Sequence, residues 1–352
     1  MARTDTLGNF LTDIADAIRE KNGTTDTISA ASFDTEIKNI ASNNEGENLD
    51  SFIKLIENKS GITYDLTIPE GVTQIGDYAF CEHSYLQKVF LPSSVTSIGH
   101  KSFYECDYLI MDELPDTVTS IGDQAFYGCE NLSWTKLPEN LTHLPSWGFR
   151  DCSKLALTEL PEGITKVPQY CFYCNDLRLT RLPDTITSID AGAFTRNRNM
   201  PLESLPSNLV SIDTSAFSNC ESMIISELPE TLTTIKDQAF QYCANITISE
   251  VPAGVTEIKY GIFQYCTSIQ KLTFKGDITS IGMAPFGGDT NLTKLIFPNL
   301  TTVPTLNANH GLQNLTDLTI YFPDNLVESA KTTTNYTNIA DKIKPLSELE
   351  EE

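Results

Sequence analysis

Six cysteines recur in step along the chain: Cys106, Cys129, Cys152, Cys220, Cys243 and Cys266. Thiols in register could bind a metal, form disulfides or act as redox groups, and each use demands its own geometry. Cys171-Phe172-Tyr173-Cys174 adds the Cys-x-x-Cys spacing of a zinc or redox pair. No second pair exists to complete a tetrahedral zinc site. The position the six thiols share is held elsewhere by His83, Asn197 and Asp289. Residues that exchange as Cys, Asn, His and Asp suit a hydrogen-bonding ladder beneath a turn. The expectation is structural packing, with all nine cysteines as thiols. Cys174 is expected to take the ladder position in its own unit, which is one residue short between Phe172 and Leu177.

Two further rows could carry chemistry. Glu70, Asp116, Glu139, Glu162, Asp184, Glu230 and Asp324 each follow a proline. A Pro-Asp or Pro-Glu pair suits a tight turn, and stacked carboxylates could invite a divalent cation. Turn chemistry is the expected role, and no metal site is predicted. The second row stands two residues before the proline: Glu113, Lys136, Glu159, Arg181, Ser204, Glu227 and Glu250. Alternating sign there predicts a cross-strand charge ladder. Toward the ends the row turns apolar, at Phe90, Ile296 and Tyr321. Phe90, Glu113, Lys136, Glu159, Arg181, Ile296 and Tyr321 are therefore the candidate ligand-contact face, with coverage by the chain ends as the plain alternative. His83, His100, His143 and His310 are scattered, and no nucleophile elbow or phosphate loop is present. No catalytic residue, cofactor or enzyme activity is predicted.

The elements that must position these residues follow from an internal repeat. A proline after an apolar residue recurs at Pro69, Pro92, Pro115, Pro138, Pro161, Pro183, Pro206, Pro229 and Pro252. The spacing is 23 residues with one step of 22, and Lys275, Pro298 and Pro323 extend the ruler. Counting from the proline, position 6 is aliphatic, as in Ile75, Ile98 and Ile121. Position 11 is a phenylalanine every time, from Phe80 to Phe286. Position 17 is Leu, Met or Ile in most units, as in Leu86, Met223 and Ile269. A 23-residue unit cannot bury its own apolar side, so stacked units must share one core. The stretch before each proline, such as Leu86 to Leu91, is the predicted strand. Middle units such as Leu155 to Leu160 shift the inward residue by one place, which predicts a bulge or changed register. Position 7 holds Gly76, Gly99, Gly122 and Gly282 but also Pro145 and Pro168. Proline fixes φ near −65°, so these glycines should not need positive φ.

The units resemble bacterial leucine-rich repeats of the BspA type, most closely in Ile121-Gly122-Asp123-Gln124-Ala125-Phe126-Tyr127-Gly128-Cys129-Glu130-Asn131-Leu132. The resemblance covers roughly residues 62–326. It implies a curved parallel stack and, as an expectation, a binding surface. The resulting fold class is an α/β solenoid of about twelve leucine-rich-repeat units, with short N-terminal helices and helical caps.

Leu7, Phe10, Leu11, Ile14 and Ile18 give residues 6–22 a helical apolar stripe, and Phe33, Ile37 and Ile40 do the same for 32–41. The segment from Thr6 to Lys21, continued by Gly23-Thr24-Thr25 and Phe33 to Ile37, looks like one found in tail and other virion proteins of phages infecting Gram-positive bacteria. Residues 1–41 are read as an attachment or oligomerisation segment, with Leu7, Phe10, Leu11, Ile14, Ile18, Phe33 and Ile37 at its interface. Residues 42–48 form a polar linker and 49–61 a cap helix. Residues 327–352 close the last coil and end in a mobile acidic tail.

The chain has 352 residues, 47 acidic and 24 basic, for a formal net charge of −23. That field repels phosphate backbones, so nucleic acid is not an expected partner. No run of apolar residues is long enough to span a membrane. No secretory signal is visible, which predicts synthesis in a host cytoplasm and location on a virion. The functional expectation is a phage virion protein of the tail fibre or baseplate. Its solenoid would bind a host-surface protein or glycan, and its N-terminal helices other virion proteins or copies of itself. Head decoration and a bacterial cell-surface adhesin are the alternatives.

Overall fold

The computed structural model describes residues 64–350. The segments 1–41 and 42–48, with Leu7, Phe10, Leu11, Ile14, Ile18, Phe33 and Ile37, and the expected cap at 49–61 lie outside the described residues. The repeats wind into a β-solenoid of about twelve turns. Each coil turns at its proline, where the N–H three residues on returns to the proline carbonyl, as from Val95 to Pro92 at 3.1 Å. The first lasting strand comes after this turn, not before it. Two-residue strands at positions 5 and 6 pair in parallel from coil to coil, as Gln74–Ile75, Ser97–Ile98 and Ser120–Ile121 do. Lys166–Val167, Ser188–Ile189, Ser211–Ile212 and Thr234–Ile235 form a second such ribbon. In each strand the first side chain faces outward and the second is buried, the period-two alternation of a half-covered sheet.

The core is a column of rings. Phe103, Phe126, Phe149, Phe172, Phe194, Phe217, Phe240 and Phe263 are all 0 % exposed. Successive centroids from Phe80 to Phe286 lie 5.2–6.3 Å apart, with planes within 21° of parallel. That is the offset stacking aromatic rings favour. Trp134 packs edge-on to Phe126 and Phe149, and its indole N–H donates to the Met111 carbonyl at 2.9 Å.

The strand before the proline is where the expectation holds only in part. Leu86–Phe90 pairs with Tyr64–Thr67, and Glu250–Val251, Lys271–Phe274, Lys294–Ile296 and Thr319–Phe322 form one sheet with Ile343–Pro345. Between them, residues 109–114 through 223–228 adopt no regular strand. There the second inward residue comes one place earlier, at Leu157 rather than at the position of Val89. Backbone bonds persist, from Ala156 N–H to the Trp134 carbonyl and from Thr158 N–H to Thr135. The register change read from the sequence is thus present, and it interrupts the sheet.

The turn side carries the fold's main surprise. Positions 9 and 13 of each coil from Pro69 to Lys275 sit at positive φ, for example Tyr78 at 57°, Lys101 at 51°, Trp147 at 58° and Glu105 at 54°. From positions 9, 11 and 13 the N–H groups reach forward to the next coil, as Lys101, Phe103 and Glu105 do to Asp123, Ala125 and Tyr127. From positions 4 and 7 they reach back, as Thr119 and Gly122 do to Thr96 and Ile98. Gly76, Gly99, Gly122 and Gly282 stay out of the left-handed region, as expected.

The C-terminal end is closed by less helix than predicted. A helix at Val327–Thr332 and a 3-10 stretch at Thr337–Lys342 lead into the strand Ile343–Pro345, which pairs with Thr319–Phe322. The expected mobile tail is tied down at its start, where Ser347 N–H donates to Asp324 Oδ1 at 3.0 Å. No helix among the described residues is long and apolar enough to cross a membrane.

Candidate functional surface

The cysteine row is a buried hydrogen-bond ladder. The thiols of Cys106, Cys129, Cys152, Cys220, Cys243 and Cys266 donate to the carbonyl of the phenylalanine one coil back, at 3.0–3.2 Å. Asn197 Nδ2 makes the same contact with Phe172 at 2.6 Å. The expectation for Cys174 is corrected. Asn175 takes the rung, donating to Phe149 at 2.9 Å, while Cys174 sits half-buried at φ 65°. The missing residue falls after the rung, so the turn that follows is shortened and the ladder keeps its phase.

All nine cysteines lie among the described residues as thiols, and seven are buried. Burial pushes the Cys129, Cys152, Cys220, Cys243 and Cys266 thiols well above their ordinary range, which suppresses the reactive thiolate. An exposed-thiol reagent should therefore label at most Cys81 and Cys174 in the native chain and all nine after denaturation. Rapid native labelling of Cys129 or Cys243 would contradict the ladder.

The acidic row after the proline does turn chemistry. Asp184 accepts from Ser207 N–H at 2.8 Å and from its hydroxyl at 2.9 Å, one coil on. These bonds lower the Asp184 carboxyl below its usual range. No group of three or more metal-ligating side chains forms among the described residues.

The candidate contact face divides. Phe90 is 46 % exposed, and Glu113, Lys136, Glu159 and Arg181 also face solvent. The charge ladder is realised between Lys136 and Glu113 at 3.7 Å, while Arg181 turns to Glu162 at 2.8 Å. Ile296 and Tyr321 are corrected from exposed to buried, at 3 % and 7 %. Both lie in the sheet that the C-terminal strand extends, where Tyr321 stands between Ile296 and Lys344. Open depressions line the remaining face. One of about 280 Å³ is bounded by Leu137, Glu139, Glu159, Leu160, Pro161 and Glu162. Another of about 400 Å³ lies beside Glu227, Glu230 and Glu250.

A second surface was not singled out from the sequence. In the first five coils, eight of the ten residues at positions 9 and 12 are Tyr78, Lys101, Tyr104, Tyr127, Trp147, Arg150, Tyr170 and Tyr173, with Cys81 and Gln124 at the other two. The Arg150 guanidinium lies 4.5–5.6 Å from the rings of Tyr127, Trp147, Tyr170 and Tyr173, and Lys101 lies over Tyr78 and Tyr104. Such contacts are worth about 0.5–1 kcal/mol each at exposed sites. The same positions in the next four coils hold Gly192, Thr195, Ser215, Ser218, Gln238, Gln241, Gly261 and Gln264. The backbone therefore does not require aromatics there. Aligning positions 9 and 12 by coil would have revealed the strip.

No curated protein matches the chain. Among solved structures, a leucine-rich repeat protein from Bacteroides ovatus is 22% identical with a TM-score of 0.51, covering 74% of this chain and 76% of that one. A leucine rich cell surface protein from Faecalibacterium prausnitzii is 23% identical with a TM-score of 0.47, covering 74% and 88%. The pneumococcal vaccine antigen PcpA is 18% identical with a TM-score of 0.46, covering 80% and 77%. The Bacteroides likeness shows the fold alone. The BspA type leucine rich repeat region matches residues 54–115, 112–220 and 197–316, six copies in all. With that match spanning most of its length, the chain belongs to the BspA-type leucine-rich-repeat family.

Proposed function

We propose that this chain is a non-enzymatic binding protein of a phage virion, carried at the tail fibre or baseplate, whose solenoid contacts the host surface. The observation that carries the binding role is the division between constant and variable positions. In the ten coils from Pro69 to Lys275 position 11 is phenylalanine and position 6 aliphatic, while the outward positions change chemistry from coil to coil. A fixed scaffold with varied outward side chains suits recognition, and Tyr, Trp and Arg are the residues most enriched where binding energy concentrates. The virion assignment rests on the resemblance of residues 6–37 to phage virion segments. Those residues would supply attachment through Leu7, Phe10, Leu11, Ile14, Ile18, Phe33 and Ile37.

The test uses particles carrying the full chain or a chain lacking residues 1–46. The truncated chain is expected to fold and stay soluble but to be missing from purified particles. Full-length variants then separate the two surfaces: Lys136→Glu with Arg181→Glu on one, Trp147→Ala with Arg150→Ala on the other. Host adsorption should fall with one pair while particle incorporation stays normal. Normal incorporation of the truncated chain would overturn the attachment role. Unchanged adsorption with both pairs would overturn the binding role. Antibody decoration of heads, or of a bacterial envelope, would reassign the location.

A further inference from the structure

One rung of the buried ladder has the wrong chemistry for its place. Eight rungs donate to a phenylalanine carbonyl one coil back, from Cys106 to Cys266, through a thiol or an amide N–H. Asp289 is next in line and stands opposite the Phe263 carbonyl by the same count. It is 1 % exposed, and neither of its carboxyl oxygens has a hydrogen-bond partner. The nearest backbone donors, Cys266 N–H and Tyr265 N–H, lie close enough to favour the charged form, but their bonds go to the Phe263 carbonyl and to Gly287. In the other rungs, that at Phe172 excepted, the phenylalanine carbonyl takes one bond from its own coil and a second from the next rung. A carboxylate here would set a buried charge against that carbonyl with no side-chain donor between them, a costly arrangement.

We propose that Asp289 is protonated in the folded chain and that its O–H donates to the Phe263 carbonyl, which makes this coil a proton-binding site. A carboxylic acid supplies the single donor the position needs, as a thiol does in the other coils. Burial acts in the same direction and, outweighing the Cys266 and Tyr265 N–H groups, raises the Asp289 carboxyl to about 8. The titratable side chains on the neighbouring coils add no cation. Cys266 is held as a neutral thiol, and burial lowers His310, keeping it uncharged at neutral pH. Tyr265, on the preceding coil, has no basic nitrogen to add.

The sign follows from proton counting. Between the unfolded carboxyl value of about 4 and the folded value, the native chain holds one proton more than the unfolded chain. This contribution to stability is therefore full at low pH, declines as pH rises and levels off above the folded value. Asp289→Asn supplies a permanent donor, the solution already used at Asn175 and Asn197.

The experiment is denaturant unfolding of the full chain from pH 5 to pH 9, with infrared spectra at pH 7. Relative to Asp289→Asn, the wild-type unfolding constant should rise about tenfold per pH unit between pH 5 and pH 7. Asp289→Asn should be the more stable protein at pH 8. A protonated-carboxyl stretch should be present in the wild type at pH 7 and absent in the variant. Parallel pH profiles, or no such stretch, would overturn the proposal. Asp289→Cys, which restores the common rung, repeats the comparison if the asparagine variant does not fold. The infrared band in the wild type alone decides if neither does.

Discussion

Phe217→Ala should cost about 3–5 kcal/mol and split the unfolding of the chain into two transitions. Phe217 is fully buried between Phe194 and Phe240, at 5.4 Å and 5.7 Å. Removing a buried ring forfeits its transfer energy and leaves a cavity, and costs of this size are typical for Phe→Ala in cores. Each coil touches only its neighbours, so the void weakens one interface of a nearly one-dimensional stack. The coils on either side then lose their coupling. Phe80→Ala is the control, since Phe80 is only partly buried and, among the described residues, has one ring partner on the ladder, Phe103. It should cost distinctly less and leave one main transition. Calorimetry resolves both quantities, and equal losses for the two variants would contradict the graded ladder.

Gly99→Ala and Gly122→Ala should each cost about 1–3 kcal/mol, with Gly76→Ala close to neutral. The reason is approach, not dihedral freedom. A Cβ on Gly99 would stand 2.5 Å from the Gly76 carbonyl carbon and 2.6 Å from Asp77 N. On Gly122 it would stand 2.5 Å from His100 N and 2.7 Å from the Gly99 carbonyl carbon. These are backbone atoms, so the coils themselves must separate. At Gly76 a Cβ meets nothing within 4 Å, because no described coil lies beneath it. Chemical denaturation of the three variants tests the order. A destabilised Gly76→Ala alongside a tolerated Gly99→Ala would show that the spacing of the first coils is wrong.

The positions legible in the sequence are those where one residue type answers one physical demand. Phenylalanine at position 11 and aliphatics at position 6 recur because the core has one shape per coil, and the structure places them there. The cysteine rungs were legible as a column because Cys, Asn, His and Asp share little except hydrogen bonding. The rung at Asn175 was missed because a Cys one place earlier matched the column by type, while the deletion lay further on. Positive φ at positions 9 and 13 was hidden for a related reason. Tyr, Lys, Gln, Trp and Ser hold position 9 in most coils, and only scattered glycines, Gly192 and Gly261 there and Gly128 and Gly288 at position 13, advertise a left-handed backbone. Inter-coil hydrogen bonds hold that conformation from outside the residue. Ile296 and Tyr321 were misplaced because their row is exposed in the middle coils, and burial there depends on how the last coils and the C-terminal strand pair.

The opposed directions of the backbone bonds give the rod an electrostatic character unlike that of a helix. In an α-helix every carbonyl points toward the C-terminus, and the peptide dipoles sum to a pole at each end. Here the N–H groups at positions 9, 11 and 13 point forward, while those at positions 4 and 7 and the side-chain rungs point back. The two flanks subtract. Adding coils therefore lengthens the rod without building a macrodipole, and neither end becomes an anion or cation trap by virtue of its backbone. Whatever field a partner meets along this surface is written by side chains alone, so its sign can be reset coil by coil without disturbing the core.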